Sequence, residues 1–162
     1  MENAPIKIER RWSMPNRWTF TILPIKQLLQ EEVKGGFWVD PFAGENGALY
    51  ADYTNDIEKD GMDALAFLKG FADNTADGVL YDPPYSITQA RMYGKKEFSS
   101  MKYWADVKNE IARILKPGGK AICFGWSSMG LGKNREFEMN RILLVPHGAS
   151  RNDTICTVET KK

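Results

Sequence analysis

An acid, two prolines and an aromatic follow one another at Asp82-Pro83-Pro84-Tyr85, directly after the apolar run Val79-Leu80-Tyr81. Each proline fixes φ and lacks an N–H, and the residue before it is pushed toward extended backbone. The carbonyls and the Asp82 carboxylate are therefore expected to point outward in a nearly preset geometry, with the flat face of Tyr85 beside them. Acceptors next to an aromatic platform suit a planar group that carries an amino donor, such as a nucleobase. Taken alone, these residues also fit an ordinary strand-ending turn.

A second stretch, Asp40-Pro41-Phe42-Ala43-Gly44-Glu45-Asn46-Gly47, follows the short apolar run Phe37-Trp38-Val39. Open parallel sheets bind ligands beyond the carboxyl ends of their strands, and glycines there let a cofactor approach the backbone. The pattern is not Gly-x-Gly-x-x-Gly, which disfavours a dinucleotide; the alternative is a Gly/Asn-rich turn that binds nothing. Asn55-Asp56 ends the next strand candidate, Leu49–Thr54, where nucleotide-binding sheets often hold ribose hydroxyls. Asp63 is either a ligand contact or a favourable first-turn acid.

These residues need a scaffold, and the pattern supplies one. A helix is expected from Pro24, with Ile25, Leu28, Leu29 and Val33 on one side and Gly35-Gly36 as its stop. A short helix follows Gly61, and Asp77–Tyr81 forms the strand that leads into Asp82. Ser86 to Ser100 reads as a mobile polar loop. A helix from about Lys102 to Leu115 shares Trp104, Val107, Ile111, Ile114 and Leu115 on one face, and Lys116-Pro117-Gly118-Gly119 stops it. Lys120–Gly125 is another strand. Ser127–Arg135 is a second polar loop, before a final strand pair at Arg141–Val145 and Thr154–Glu159. Strands alternating with helices imply an α/β fold, mostly parallel with right-handed crossovers, and the last hairpin would supply an antiparallel edge. Residues 1–23, rich in Arg, Trp and Pro without helical period, should form an ordered arm over the domain.

With 162 residues, 43% apolar and 27% charged, the chain is expected to be one soluble globular domain. No apolar run reaches membrane-spanning length, and Met1–Lys7 lacks the apolar core of a signal peptide, which points to the cytoplasm. Cys123 and Cys156 sit in strand-like runs and read as buried small hydrophobes, and with His147 alone a zinc site is disfavoured. Residues 37–90 carry ten acidic against two basic side chains, and residues 91–141 five against eleven. A basic half can meet phosphates or be a solvated face.

The motifs together resemble those of the amino-group DNA methyltransferases that use S-adenosylmethionine (SAM). Asp40-Pro41-Phe42-Ala43-Gly44 resembles their cofactor loop, Asp82-Pro83-Pro84-Tyr85 their catalytic motif, and Leu115-Lys116-Pro117-Gly118-Gly119-Lys120 the helix-to-strand junction of SAM-dependent methyltransferases. Asn16-Arg17-Trp18-Thr19-Phe20 is similar to the arm that closes over the methionine end of SAM. With Tyr53–Asp56, Phe124–Ser128, His147-Gly148 and Asn152–Thr154, the set is most similar to small phage-type adenine methyltransferases. The resemblance implies a Rossmann-like class I methyltransferase sheet over residues 1–162, with an antiparallel C-terminal strand, working in a bacterial or phage-infected cell. It implies SAM as cofactor, held by Asn16, Trp18, Thr19, Asp40, Pro41, Phe42, Gly44, Asn55, Asp56, Asp63 and Asp82. Two departures stand out. The position two residues beyond Gly44 is Asn46, with Gly47 one later, where the family commonly has a second glycine. Only Ser86–Gly119 separates the catalytic motif from the next strand, leaving little chain for a target-recognition region.

The implied activity is methylation of adenine N6 in DNA, with Asp82 accepting one amine hydrogen and the Pro83 carbonyl the other. The base must be flipped or unpaired, and Tyr85 would stack on it. Arg91, Lys95, Lys96, Lys133 and Arg135 are the candidates for phosphate contact. His147 is expected to be structural. Either sequence specificity is loose, or a second subunit supplies it, as a homodimer partner or a separate specificity subunit. The rival readings are an RNA adenine methyltransferase, a non-catalytic subunit of the same fold, and a cytosine N4 enzyme, the last disfavoured by Asp rather than Ser at position 82.

Overall fold

The computed structural model describes residues 4–44 and 49–162. The elements run β1 (Lys7–Arg10), α1 (Leu23–Glu32), β2 (Trp38–Asp40), β3 (Tyr53–Thr54), α2 (Ile57–Asp60), α3 (Ala64–Lys69), β4 (Ala76–Tyr81), α4 (Ile87–Arg91), α5 (Met101–Ile114), β5 (Leu115–Gly125), β6 (Phe137–Val145) and β7 (Thr154–Lys161). One sheet has the order β1-β6-β7-β5-β4-β2-β3, in which only β7 runs against its neighbours. No helix among the described residues is long and apolar enough to cross a membrane.

Successive strand residues point to opposite faces, and the central strands use both. Val39, Val79 and Ala121 pack with Leu68, Val107, Ile111 and Ile114 of α3 and α5. Trp38, Leu80 and Ile122 pack with Ile25, Leu28 and Leu29 of α1. Pro24 sits in the first turn of α1, where its missing N–H costs nothing. Trp38 and Gly78 are register partners, and a Cβ at Gly78 would lie 2.3 Å from the Trp38 ring. The indole therefore lies across a strand position that only glycine can fill, with Nε1 donating to Gly35 O at 2.8 Å.

The chain leaves β2 for β3 at the sheet edge and returns to β4 on the other side of β2. The strand order therefore reverses between β2 and β4, and a crevice opens beyond their carboxyl ends. Asp40 ends β2 and Asp82 follows β4, one on each side of it.

Several expectations are corrected. The arm contains strand β1, which pairs with β6 in parallel, so β1 and not the C-terminal hairpin forms that sheet edge. Arg11 N and Ser13 N extend the attachment by donating to Leu144 O and Pro146 O. The expected strand Leu49–Thr54 shrinks to Tyr53–Thr54, because Leu49 is exposed and the Asp52 carboxylate accepts from Trp38 N. Ser86–Ser100 is not irregular: Ser86 caps α4 by accepting from Gln89 N, and a 3-10 turn at Lys96–Ser99 buries Phe98. Lys116–Gly119 does stop α5, but the backbone goes straight into β5 through a register shift, with Gly118 at φ +81°. The departure at Asn46-Gly47 lies outside the described residues.

Candidate active site

A cleft of about 610 Å³ opens at the strand reversal. Its first wall is the loop after β2. Asp40 Oδ1 accepts from Phe42 N at 3.0 Å, Asn55 N donates to Asp40 O, and Ala43 N donates to Asn55 O. Asn55 is buried and its amide donates to Met62 O at 2.9 Å. The loop after β2 is thus stitched to the end of β3, which turns Pro41, Phe42, Gly44, Asn55 and Asp56 toward the cleft. Asp56 also caps α2 by accepting from Glu58 N at 2.9 Å.

The arm forms a second wall. Asn16 Oδ1 accepts from Trp18 N at 2.9 Å, and the Trp18 ring lies where a Cβ on Gly44 would come within 3.3 Å of it. Asn16, Trp18 and Thr19 line the cleft, and Phe20 anchors them against Phe124, ring centroids 5.0 Å apart. His147 lines it too and ties the arm to β7. Its Nδ1 donates to Ser13 O, since a carbonyl only accepts, and Nε2 bonds the Thr154 hydroxyl, both at 2.8 Å.

The third wall is the turn after β4. Tyr85 OH donates to Asp82 Oδ1 at 2.7 Å, Tyr85 N donates to Gln89 Oε1 at 2.8 Å, and the Thr19 side chain reaches both Asp82 and Tyr85. Trp126, which follows β5, meets Tyr85 edge-to-face at 5.9 Å. Burial pushes the Asp82 carboxyl up to about 6, against the opposing pull of the Tyr85 and Thr19 hydrogen bonds. Asp40 is 0% exposed, and its Oδ2 has no partner among the described residues. Burial holds its carboxyl well above the ordinary range; the Phe42 amide opposes this, and the Asp82 and Asp56 charges add to it. The acids that line the cleft itself are Asp56 and Asp82.

Two residues expected at the cofactor lie off the cleft wall. Asp40 sits beneath its loop. Asp63 caps α3 by accepting from Ala66 N and binds Lys95 and Tyr103 OH, each at 3.2 Å. None of the five expected phosphate contacts lines this cleft or the smaller cavity beside it. Lys95 is paired with Asp63, Arg91 Nε donates to Ser99 Oγ, and Arg135 is folded onto Asn109 Oδ1 and Leu131 O. Lys96 and Lys133 stand exposed. Among the described residues, Arg17 and Arg151 line the cleft and Lys108 lines the smaller cavity beside it. Arg17 stacks over the Trp18 ring at 4.3 Å. No sequence signal marks Arg151, in an irregular loop, or Lys108, on a helix otherwise read by its apolar face. Trp104 read as core and is cleft wall as well, tilted against Phe42 at 5.9 Å.

No family model and no curated protein matches the chain. Solved structures do. TrmN from Thermus thermophilus superposes with a TM-score of 0.58 at 18% identity, over 87% of this chain and 49% of that one. The 1,6-didemethyltoxoflavin-N1-methyltransferase of Burkholderia thailandensis, solved with bound 1,6-didemethyltoxoflavin and S-adenosylhomocysteine, gives 0.60 at 12% identity over 86% and 77%. A SAM-dependent methyltransferase of Thermotoga maritima gives 0.51 at 15% over 84% and 86%. The chain spans about half the length of TrmN. At these identities the likeness shows the fold, which is that of the class I methyltransferases.

Proposed function

We propose that this chain is a SAM-dependent methyltransferase that acts on the exocyclic N6 of an unpaired or weakly paired adenine in DNA. The observation that carries the reading is the position of Asp82-Pro83-Pro84-Tyr85. It borders the crevice at the strand reversal, facing the Pro41–Gly44 loop and covered by the arm residue Thr19.

The residues present fit the cofactor. Phe42 and Gly44 offer an apolar face and a close backbone approach, Asp56 stands at the end of β3 for ribose hydroxyls, and Asn16 and Trp18 close the methionine end. The unpartnered Oδ2 of Asp40 adds a buried acceptor under the same loop. When bound, SAM supplies an electrophilic methyl group.

An adenine amine is a weak nucleophile because its lone pair is delocalised into the ring. Ionised Asp82 accepts one N6–H and the Pro83 carbonyl the other, which favours the pyramidal nitrogen that gains positive charge. Acceptors aimed at developing charge are worth roughly 10²–10³ in rate each. Asp82 need not remove the proton, because the methylated amine is cationic and releases it readily. Tyr85 provides the stacking face, worth about 1–3 kcal/mol per base.

The test is incubation of the purified chain with methyl-labelled SAM and single-stranded DNA, duplex DNA or RNA, followed by identification of the modified base. N6-methyladenine in single-stranded DNA, above duplex, supports the proposal. Preferential labelling of RNA would replace DNA as the substrate, and measured SAM binding without transfer to any strand would leave only a non-catalytic subunit.

A further inference from the structure

A second cavity, of about 280 Å³, adjoins the first and shares Pro83, Pro84, Tyr85, Trp104 and Trp126 with it. Its own contribution is Lys108 of α5, close to the face of Tyr81, with Nζ 6.0 Å from the ring centroid. The Lys108 ammonium is half-buried and donates to Gly130 O at 2.9 Å, and among the described residues it has no carboxylate within ion-pair distance. Glu159 is the nearby acid, but its oxygens accept from Leu131 N and Gly132 N at 2.7 and 3.1 Å. Burial lowers the ammonium's hold on its proton and the Arg135 charge adds to this, while Cys123 and Glu159 pull the other way without outweighing them. An ammonium has three donors, of which Gly130 takes one. A half-buried, unpaired cation on the wall of an aromatic cavity is a state that an incoming oxygen anion or carbonyl would relieve.

We propose that this second cavity takes the nucleotide next to the target adenine, with its base against Trp104 and Trp126 and an oxygen of that nucleotide on the Lys108 ammonium. The proposal rests on the nucleic-acid reading above and adds a second position to it. A strand offers planar bases and oxygen acceptors in alternation, and aromatic faces interleaved with cations are what hold unpaired strands. Trp126 is 43% exposed and lines both cavities, so one indole can separate two neighbouring bases. Such a subsite lets the domain itself, through α5 and the loop 126–130, grip the strand beside the target base.

The experiment uses single-stranded oligonucleotides with one adenine and an abasic spacer at its 5′ or its 3′ neighbour. Fluorescence anisotropy reads binding independently of catalysis, and steady-state methylation reads KM and kcat. One of the two spacers should weaken binding roughly 5- to 100-fold, the loss of one stacked base. Lys108→Met should raise KM about tenfold, with the loss on KM rather than kcat, and should blunt the spacer penalty; Lys108→Arg should restore most of the affinity. Indifference to both spacers would overturn the subsite. So would a Lys108→Met variant, folded by thermal melt, whose defect falls on kcat, which would put the amine at the reacting base. A spacer penalty in binding without any methylation would keep the subsite and sink the methyltransferase reading; no strand binding would sink both.

Discussion

The Tyr85 hydroxyl donates to Asp82 Oδ1 at 2.7 Å, so the oxygen assigned to the substrate amine is already engaged by its own stacking platform. Base entry must exchange one donor for another. Tyr85→Phe keeps the ring and frees the oxygen, so KM for single-stranded DNA should stay within about threefold of wild type. Tyr85→Ala removes the platform and should raise KM roughly 5- to 100-fold. Steady-state kinetics on one oligonucleotide checks both.

Methylation should be acid-sensitive in a defined way. Asp82 accepts from an amine only when ionised, and burial pushes its carboxyl up to about 6. The rate should rise about tenfold per pH unit below that value and level off above it. Asp82→Asn should flatten this limb and lower the plateau by roughly 10². The stability effect has the opposite slope. A folded-state carboxyl raised above its unfolded value favours the native state at low pH and disfavours it once ionised. Asp82→Asn should therefore melt higher than wild type at pH 8, with the gap closing below pH 4. Equal shifts at both pH values would refute the buried charge.

Gly78 is constrained by its neighbour. A Cβ there falls 2.3 Å from the Trp38 ring. Gly78→Ala should destabilise by about 1–3 kcal/mol or more, as overpacking does. The double variant Gly78→Ala/Trp38→Leu should lose less than the sum of the two single variants in urea unfolding, since the residues share one contact.

Arg141 is 7% exposed and binds Glu9, Glu31 and Glu32 at 2.6, 2.7 and 3.1 Å, which fastens β1 and α1 to β6. The Arg141 hydrogen bond holds the Glu9 carboxyl below its ordinary value. For Glu32, burial pushes upward, but hydrogen bonds from Lys120 and Arg141 leave it lowered as well. Stability from these pairs is present above the unfolded value and is lost as pH falls through the depressed one. Arg141→Met should cost roughly 3 kcal/mol at pH 7, and the difference should shrink on acidification. Denaturant melts at pH 7 and pH 3.5 measure it.

Arg151 lines the cleft, whereas Lys95 and Arg135 are engaged elsewhere. Arg151→Glu should weaken strand binding and reduce the slope of log affinity against log salt by about one, while Lys133→Glu should change both less. Anisotropy titrations at several salt concentrations compare them.

The turn after β4 and the loop after β2 were legible in the sequence because their residues carry their geometry locally. Pro83 and Pro84 set their own backbone, and Asp40-Pro41-Phe42 announces a strand end. What stayed hidden depends on pairing at long range. Lys7–Arg10 shows no alternation, and it is a strand because Arg141 and β6 lie beside it. For Asp63 the first-turn role was legible as one of two readings, and its cap on Ala66 N is local, but its lysine and tyrosine partners come from distant segments. Lys108 and Arg151 are indistinguishable from ordinary surface charges in the sequence, because the cavity walls they join are assembled from distant segments.

β7 lies between β5 and β6 and is the sheet's bridge between the wing of β1 and β6 and the wing of β5, β4, β2 and β3. Its own pairings are close in sequence, Val145 with Thr154 in the hairpin to β6 and Gly125 with Ile155 on β5, so these three strands can find each other early. β1 is different, because it pairs Lys7 with Arg141 across most of the chain, a contact of high order. Folding should then have a slow last step. Until β1 is seated, the arm that leads to Thr19 is not fastened along β6, so any methyl-transfer competence should appear with the final kinetic phase of refolding and not with the burst of helix formation.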